Sequence, residues 1–186
     1  AIINPILRGR DIKRYYYEWA GLWVIIIPAG WTNENRNKQN PEKFIYEQFS
    51  SLMNHLKPFE QKAKKRDDQG DYWWELRACA YYPEFEKEKV VYSEIVRSPQ
   101  FYYDTDKFYI EATSFLMTGE HIKYICGLLN SKPVNYFFKK YYAGGGLGKE
   151  GYRYKKAFLE KLPIPPITTS NQHMVSQIES LVDKIL

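Results

Sequence analysis

The chain has 186 residues, of which 44% are hydrophobic and 17% aromatic, and its formal net charge at pH 7 is +5. This length suits one domain with at most a small appendage, and the apolar content can supply a core. The longest purely apolar run, residues 22–27, is far too short to span a bilayer. We find no signal-peptide pattern, so we expect a cytoplasmic protein without membrane contact.

The two cysteines, Cys79 and Cys126, match no metal-binding or redox spacing. We expect free thiols in a reducing compartment rather than a disulfide. The chain starts at Ala1 without an initiator methionine and enters structure almost at once, so we expect a fragment cut from a longer protein. The basic balance favours an acidic partner.

Residues 5–14 predict a turn that leads into a basic face. Gly9 allows the backbone to turn sharply there. An acid, Asp11, stands among four cations and can pair with one of them. These cations are Arg8, Arg10, Lys13 and Arg14.

The next three segments alternate in character. Residues 15–19 are expected to form a strand or a short aromatic helix. Residues 22–27 are apolar, β-branched and bounded by glycine and proline, which predicts a buried strand. Residues 31–41 are polar and rich in asparagine, which predicts a loop.

Pro41 begins a predicted helix whose apolar residues form one stripe. Pro58 is expected to kink or restart this helix, and the basic run at residues 62–66 is most simply its solvated end. Residues 67–71 predict a turn, and an aromatic cluster follows at residues 72–76. The stripe consists of Ile45, Phe49, Leu52, Met53 and Leu56.

Several short strands are predicted next. The pattern indicates strands at residues 88–96, 101–104, 108–111 and 113–117, with a hairpin connection at residues 104–107. Together with the helices, they predict an α+β fold. Its sheet should be mainly antiparallel and twisted, and packed with helices.

Helices dominate the rest of the chain. An apolar face predicts one helix at residues 122–129, and Ser131 is the expected N-cap of the next. A final helix should run from about Asn171 and pack on the domain or on a partner. Its two-heptad seam consists of Val175, Ile178, Val182 and Ile185.

Residues 139–156 carry six lysines and arginines against one acid, Glu150, so this segment holds the whole net charge of +5. Four tyrosines stand among these cations. Such a surface suits phosphates and flat ring systems, although a solvated loop has the same composition. The tyrosines are Tyr141, Tyr142, Tyr152 and Tyr154.

Two nucleotide motifs are tested and rejected. The glycine loop at residues 143–150 resembles a P-loop, but Ala143 replaces its first glycine and Glu150 stands where a hydroxyl must hold Mg²⁺. Residues 4–7 begin like the Asn-Pro-Pro-aromatic motif of amino-methyltransferases, but they lack the second proline and the ring. The three histidines have no partner at ligand spacing, so no metal site is expected.

An alternative is a metal-dependent nuclease built on residues 84–89. The acid-x-Lys spacings there suit such a site, which also needs a further carboxylate that converges on Mg²⁺. Alternating acids and lysines before a strand more often form a solvated edge. The residues concerned are Glu84, Glu86 and Glu88 with Lys87 and Lys89.

Six fragments of the chain carry one ordered pattern: LRGRDI (7–12), SLMNHLKPFE (51–60), WWELR (73–77), FEKEKVVYSEI (85–95), YICGLLNSKPVNYFFKK (124–140) and LEKLPIPP (159–166). Read together, they resemble the TaqI-like C-terminal specificity domain. This is the target recognition domain of type IIG restriction–modification enzymes and related adenine-N6 methyltransferases. The resemblance covers nearly the whole chain, and none of its motifs is a catalytic signature.

The resemblance implies a non-catalytic, sequence-specific domain that holds double-stranded DNA against a separate N-terminal methyltransferase domain. The parent would use S-adenosylmethionine, and Mg²⁺ if it also carries a nuclease; this chain lacks motifs for either. We expect the recognition domain at residues 1–166 and the start of a conserved spacer helix at residues 167–186. A module that only assembles partners through this helix is a further alternative.

The resemblance supplies no base-reading residues, so these are chosen from loop position and chemistry. Arginine, lysine and glutamine suit phosphates and base edges, and tyrosine suits stacking or bracing. The expected base-reading or stacking residues are Arg97, Gln100, Arg153, Tyr152 and Tyr154. The expected phosphate contacts are Lys139, Lys140, Lys149, Lys155 and Lys156, followed by Arg8, Arg10, Lys65 and Arg66.

Overall fold

The computed structural model describes residues 2–142 and 151–186, which divide into two compact units. The first unit comprises residues 1–4 and 24–82, and the second comprises residues 5–23 and 83–186. No helix within the described residues is long and apolar enough to cross a membrane. The strands are β1 (Ile3–Leu7), β2 (Trp23–Ile25), β3 (Lys89–Ser93), β4 (Ile95–Val96), β5 (Phe101–Asp104), β6 (Tyr109–Ile110), β7 (Ser114–Met117) and β8 (Tyr152–Arg153). The α-helices are α1 (Trp31–Asn35), α2 (Pro41–Gln48), α3 (Ser50–Leu56), α4 (Glu60–Ala63), α5 (Ile122–Leu129), α6 (Lys132–Tyr141), α7 (Lys156–Leu159) and α8 (Gln172–Ile185).

The first unit is built from helices α1–α4 around an aromatic core. The Asn40 side chain accepts a hydrogen bond from Lys43 N, which caps α2 as its proline enters the first turn. Phe49 leaves helical geometry at φ −136°, so the predicted long helix is two helices, α2 and α3. The predicted stripe is confirmed, because its residues pack in one cluster with Ile27, Trp73 and Trp74.

Helix α1 corrects the prediction of a loop at residues 31–41. Gly30 precedes it at φ 82°, a left-handed conformation that glycine adopts readily. The fully buried Glu75 carboxylate accepts hydrogen bonds from Thr32 N at 2.9 Å and from Gly30 N at 3.2 Å. A distant side chain therefore supplies the N-terminal cap that the local sequence lacks.

The second unit has an α+β architecture with mainly antiparallel strand pairs, as predicted. Its central sheet has the order β5-β3-β7, with Val91 opposite Tyr102 on one side and opposite Leu116 on the other. Strand β1 pairs with β6 in parallel, and β4 pairs with β8 in antiparallel fashion. Helices α5 and α6 cover a core that includes Phe101 and Phe138.

Three local predictions in this unit are wrong. Residues 104–107 do not close a hairpin, because β5 pairs with β3 while β6 pairs with β1. The predicted strand at residues 88–96 is interrupted at Glu94, after which β4 pairs with β8. Residues 15–19 form neither a helix nor a named strand, although Tyr17 makes an isolated bridge to Ile12.

The Ser131 cap follows the sequence, and the predicted seam of α8 does so in part. Val175 and Val182 are buried and Ile178 is half-buried, whereas Ile185 is 56% exposed. The Ser131 side chain accepts a hydrogen bond from Val134 N and begins α6, as predicted. Helix α8 packs on α5, where a Cβ added at Gly127 would meet Ile178 at 2.9 Å and Val182 at 3.1 Å. The predicted packing of the last helix on the domain is thereby confirmed.

Candidate nucleic-acid interface

The LRGRDI segment forms a tight turn at residues 7–12, which we call the arginine turn. Leu7 and Ile12 are fully buried in one core cluster and anchor its two ends. Between them, a Cβ added at Gly9 would lie 2.8 Å from Ser93 Oγ, which is closer than side-chain carbons come. Glycine is therefore favoured at this position, because a Cβ there would displace a serine side chain on strand β3.

An arginine–aspartate pair fixes the conformation of this turn. Arg8 N donates to Asp11 Oδ2 at 2.9 Å, and the Arg8 guanidinium donates to both carboxylate oxygens, the shorter contact being 2.8 Å. Hydrogen bonds from Arg8 hold the pKa of the Asp11 carboxyl below its usual range. The engaged Arg8 leaves Arg10 as the exposed guanidinium of the turn.

A polar groove of about 690 Å³ opens beside the arginine turn, and we call it the basic groove. Arg10 lines one part of it, and Arg97 and Gln100 line another. Both arginines are exposed, whereas Gln100 is half-buried. The remaining lining residues are Gly9, Lys13, Ser93, Ile95, Val96 and Gly151.

Lys13 belongs to the groove and also supports the turn. Its Nζ donates to the carbonyl oxygen of Arg10 at 2.8 Å and lies 3.3 Å from Glu18 Oε2. The sequence predicts Lys13 on a basic face but not as a site residue. The sequence signal for its role is its position three residues after Arg10, which allows its Nζ to reach the Arg10 carbonyl oxygen.

Arg153 lies next to the groove through strand pairing. Arg153 on β8 lies opposite Ile95 on β4, and Ile95 lines the groove. Arg153 Nη1 lies 3.3 Å from Glu94 Oε1. Arg153 can contact DNA only if this half-buried ion pair opens or if Arg153 binds Glu94 and DNA at the same time. No described carboxylate forms an ion pair with Arg97.

Tyr152 and Tyr154 are buried core residues. Tyr152 Oη donates to Asn135 Oδ1 at 3.0 Å, and both rings pack against Phe138. Burial raises the pKa of both phenols above the ordinary tyrosine value. Because their faces are enclosed, these rings can brace β8 but present no surface on which a base could stack.

The other predicted phosphate contacts of this unit flank residues 143–150. Lys139 and Lys140 are exposed at the end of α6, and Lys139 Nζ lies 5.2 Å from the ring centroid of Tyr152. Lys155 and Lys156 are exposed at the start of α7. The predicted contact Lys149, and the whole glycine loop at residues 143–150, lie outside the described residues.

Two predicted contacts belong to the first unit. Lys65 is exposed just after α4. The Arg66 guanidinium donates to the carbonyl oxygens of Trp73 at 2.8 Å and Glu75 at 3.0 Å, so it also holds the local chain together.

The acids of the alternative nuclease site take separate partners. Glu84 accepts from Lys87 at 2.6 Å and from Thr118, whereas Glu88 accepts a short hydrogen bond from Tyr103. The fully buried Lys89 forms an ion pair at 2.6 Å with the fully buried Asp104. Within residues 2–142 and 151–186, no three potential ligands stand together as a metal site would require.

The structure therefore brings three predicted site residues together in one groove, Arg10, Arg97 and Gln100, with Arg153 beside them. The sequence model of the family described as TaqI-like C-terminal specificity domain matches residues 4–164. No curated protein matches the chain. The matched segment includes the arginine turn, the basic groove and every predicted site residue.

Proposed function

The chain belongs to the family of TaqI-like C-terminal specificity domains, and we propose that its basic groove reads the sequence of duplex DNA. Membership makes the chain a DNA-specificity domain of restriction–modification enzymes. The observation that carries the proposed site is the convergence of Arg10, Arg97 and Gln100 on one polar groove.

The chemistry of the groove suits base reading. Arginine forms paired hydrogen bonds with the O6 and N7 atoms of guanine, and glutamine pairs in the same way with adenine. Arg97 is exposed, and no described residue forms an ion pair with it. Its guanidinium can therefore reach a base edge without breaking an internal ion pair. Gln100 is half-buried, which restricts its side chain and lowers the entropy lost on binding.

The arginine turn supplies a rigid support for this reading. The Arg8–Asp11 pair and the close contact of Gly9 with Ser93 hold the backbone of Arg10 in place. We assign Arg10 and Lys13 to phosphates that flank the bases read by Arg97. Arg8 then acts by building the turn, and Arg153 acts as a secondary reader.

Further lysines would clamp the DNA backbone outside the groove. Lys139, Lys140, Lys155 and Lys156 are exposed on elements that flank residues 143–150. Each phosphate that a lysine neutralises releases condensed counterions, so binding should weaken as salt rises. We keep Lys149 in this group on the basis of its sequence position, and we place Lys65 in a second tier.

The parent protein supplies the chemistry in this proposal. The chain would hold target DNA against a separate N-terminal adenine-N6 methyltransferase domain, as in a type IIG enzyme. S-adenosylmethionine would bind to that domain, as would Mg²⁺ to a nuclease domain of the same parent. The enzyme would act on DNA in the cytoplasm.

The last helix supports a second role, assembly with another domain. Helix α8 buries Val175 and Val182, yet it leaves Met174, Leu181 and Ile185 about half exposed. An apolar face of this kind is suited to pack against a helix of the catalytic part or of a partner. We therefore treat residues 167–186 as the spacer that joins recognition to catalysis.

Affinity and its salt dependence test the groove directly. Duplexes selected from a random library would be titrated with the chain by fluorescence anisotropy over a range of salt concentrations. Arg97→Ala should weaken binding to the selected duplex by about 1–3 kcal/mol and leave random duplex nearly unchanged. Lys139→Ala should weaken both duplexes alike and lower the salt slope by about one.

Arg77→Ala is the matched control for arginine, because Arg77 is exposed in the first unit and pairs with Asp68 at 3.6 Å. It should leave both affinities within twofold. Equal losses on selected and random duplex with Arg97→Ala would remove the reading role from that residue. Salt-independent binding would favour the assembly role instead.

A further inference from the structure

A second cavity, of about 270 Å³, lies wholly within the first unit. Its walls are apolar and come from Leu56 on α3, Ala63 on α4, and the rings of Trp73 and Trp74. Phe59 stands at its rim with 54% of its surface exposed. Because a cavity of about 150 Å³ admits a benzene ring, this one has room for a single large apolar side chain.

Two cations lie at the wall of this cavity. Lys62 is exposed, and the Arg66 guanidinium is held by carbonyl oxygens rather than by a carboxylate. The acid nearest to Lys62 in the sequence, Glu60, is already engaged by Lys57 at 2.7 Å and Lys64 at 2.6 Å. Within the described part of the chain, neither Lys62 nor Arg66 forms an ion pair.

We propose that this cavity is a docking site for an acidic segment of a protein partner, which inserts one large apolar side chain. The apolar walls favour an aliphatic or aromatic side chain, and the positive charges of Lys62 and Arg66 favour carboxylates on either side of it. The partner is thus defined by an apolar anchor flanked by aspartate or glutamate.

The same cavity suits a nucleobase poorly. A base presents donors and acceptors along its edges, and burying them without partners is unfavourable. Leu56, Ala63 and the two tryptophan rings offer few hydrogen-bonding groups to replace water. The cavity is lined entirely by residues of the first unit and the basic groove by residues of the second, so the two sites share no residue.

Three capped synthetic peptides of equal length provide the probes. One carries Leu-Phe between pairs of glutamates, one carries Leu-Phe between pairs of lysines, and one carries Ala-Ala between pairs of glutamates. Each is titrated into the whole chain by intrinsic tryptophan fluorescence, to which Trp73 and Trp74 contribute. The acidic Leu-Phe peptide should bind at least about tenfold more tightly than either of the others, because only it satisfies both the walls and the cations.

Four variants separate the contributions. Ala63→Phe fills the cavity and should remove saturable binding, and Ala63→Leu is a milder filling variant in case the first does not fold. Lys62→Glu should weaken binding of the acidic peptide by about three- to tenfold. Lys43→Glu is the matched control, because Lys43 is exposed on α2 and does not line the cavity.

The outcomes are decisive in both directions. Selective binding of the acidic Leu-Phe peptide that is lost in a folded Ala63 variant supports the docking site. Equal binding of the acidic and basic peptides, no saturable binding of any peptide, or binding that survives both Ala63 variants would overturn it. A duplex that binds more weakly to Lys62→Glu and equally to Ala63→Leu would assign the cations to DNA and overturn it as well.

Discussion

The contact between Gly9 and strand β3 predicts that Gly9→Ala destabilises the second unit. The new Cβ would stand 2.8 Å from Ser93 Oγ and 3.3 Å from Ser114 Oγ, and both serines lie on strands of the central sheet. Overpacking of this kind costs about 1–3 kcal/mol, and the lower entropy of the unfolded alanine chain returns about 0.4–1 kcal/mol. The expected net loss is therefore about 0–2.6 kcal/mol in the free energy of unfolding.

A double-mutant cycle with Ser93→Ala isolates this contact. Without Ser93 Oγ, the nearest Ser93 atom to the new carbon is Cβ at 3.5 Å, which is an ordinary van der Waals distance. The two substitutions together should therefore cost at least about 0.5 kcal/mol less than the sum of the single ones. Urea denaturation followed by circular dichroism gives the three free energies, and hydrogen exchange of the β3 amides gives a local readout.

DNA affinity should change in parallel with stability, because Gly9 directly precedes Arg10 and both residues line the groove. Gly9→Ala should weaken binding to a selected duplex, and adding Ser93→Ala should restore part of it. A Gly9→Ala chain that is more stable than the wild type, or a cycle without coupling, would refute the close packing of the arginine turn on the sheet.

Three further predictions follow from buried groups. Hydrogen bonds from Arg8 lower the pKa of Asp11, so the stability that this carboxylate contributes is complete above the ordinary aspartate pKa of about 3.9 and is lost as pH falls through the lowered value. Asp11→Asn should therefore reduce the loss of stability at acid pH, measured by urea denaturation at a series of pH values. An unchanged loss at acid pH would contradict this. Burial raises the pKa of the Cys126 thiol to about 12, whereas Cys79 is half-buried. A thiol reagent at neutral pH should therefore modify Cys79 and spare Cys126 until the chain is unfolded. Mass spectrometry that finds Cys126 modified first would contradict this order. The buried Asn130 side chain donates from Nδ2 to Phe101 O at 2.8 Å and accepts at Oδ1 from Phe101 N at 3.2 Å. Asn130→Ala should lower the free energy of unfolding, measured with heat or urea, by about 2 kcal/mol or more. An unchanged free energy would contradict the importance of these two bonds.

The sequence predicted best those elements whose signals are local. The cap residue Ser131 begins α6, Pro41 opens α2, and the strand at residues 101–104 matches β5. Each of these depends on side chains within a few residues of the element. The α+β class and the antiparallel character of the sheet follow from such elements.

Long-range partners explain the wrong predictions. Helix α1 lacks a cap in its own sequence, and Glu75 provides one from 43 residues beyond Thr32. The strand at residues 88–96 is interrupted because β4 pairs with β8, where Val96 lies opposite Tyr152, 56 residues further along the chain. No local pattern reports such partners.

Long-range contacts also explain why the sequence predicts only part of the candidate site. The turn at residues 97–100 and the chemistry of its side chains predict Arg97 and Gln100, and the fold places both in one groove with Arg10. Tyr152 and Tyr154 were chosen from a basic, aromatic stretch, but strand pairing and packing on Phe138 bury their rings. Composition cannot separate an exposed tyrosine from a buried one, because its ring suits both environments.

The most direct test of the proposed reading role is the base preference of the chain in a random duplex library. Bound duplexes would be sequenced for the wild type, Arg97→Ala and Gln100→Ala, with Arg77→Ala as the control. We predict that each of the two groove variants loses preference at its own one or two base positions and retains it at the others. An unchanged profile, or a uniform loss at every position, would contradict the conclusion that the basic groove reads the DNA sequence.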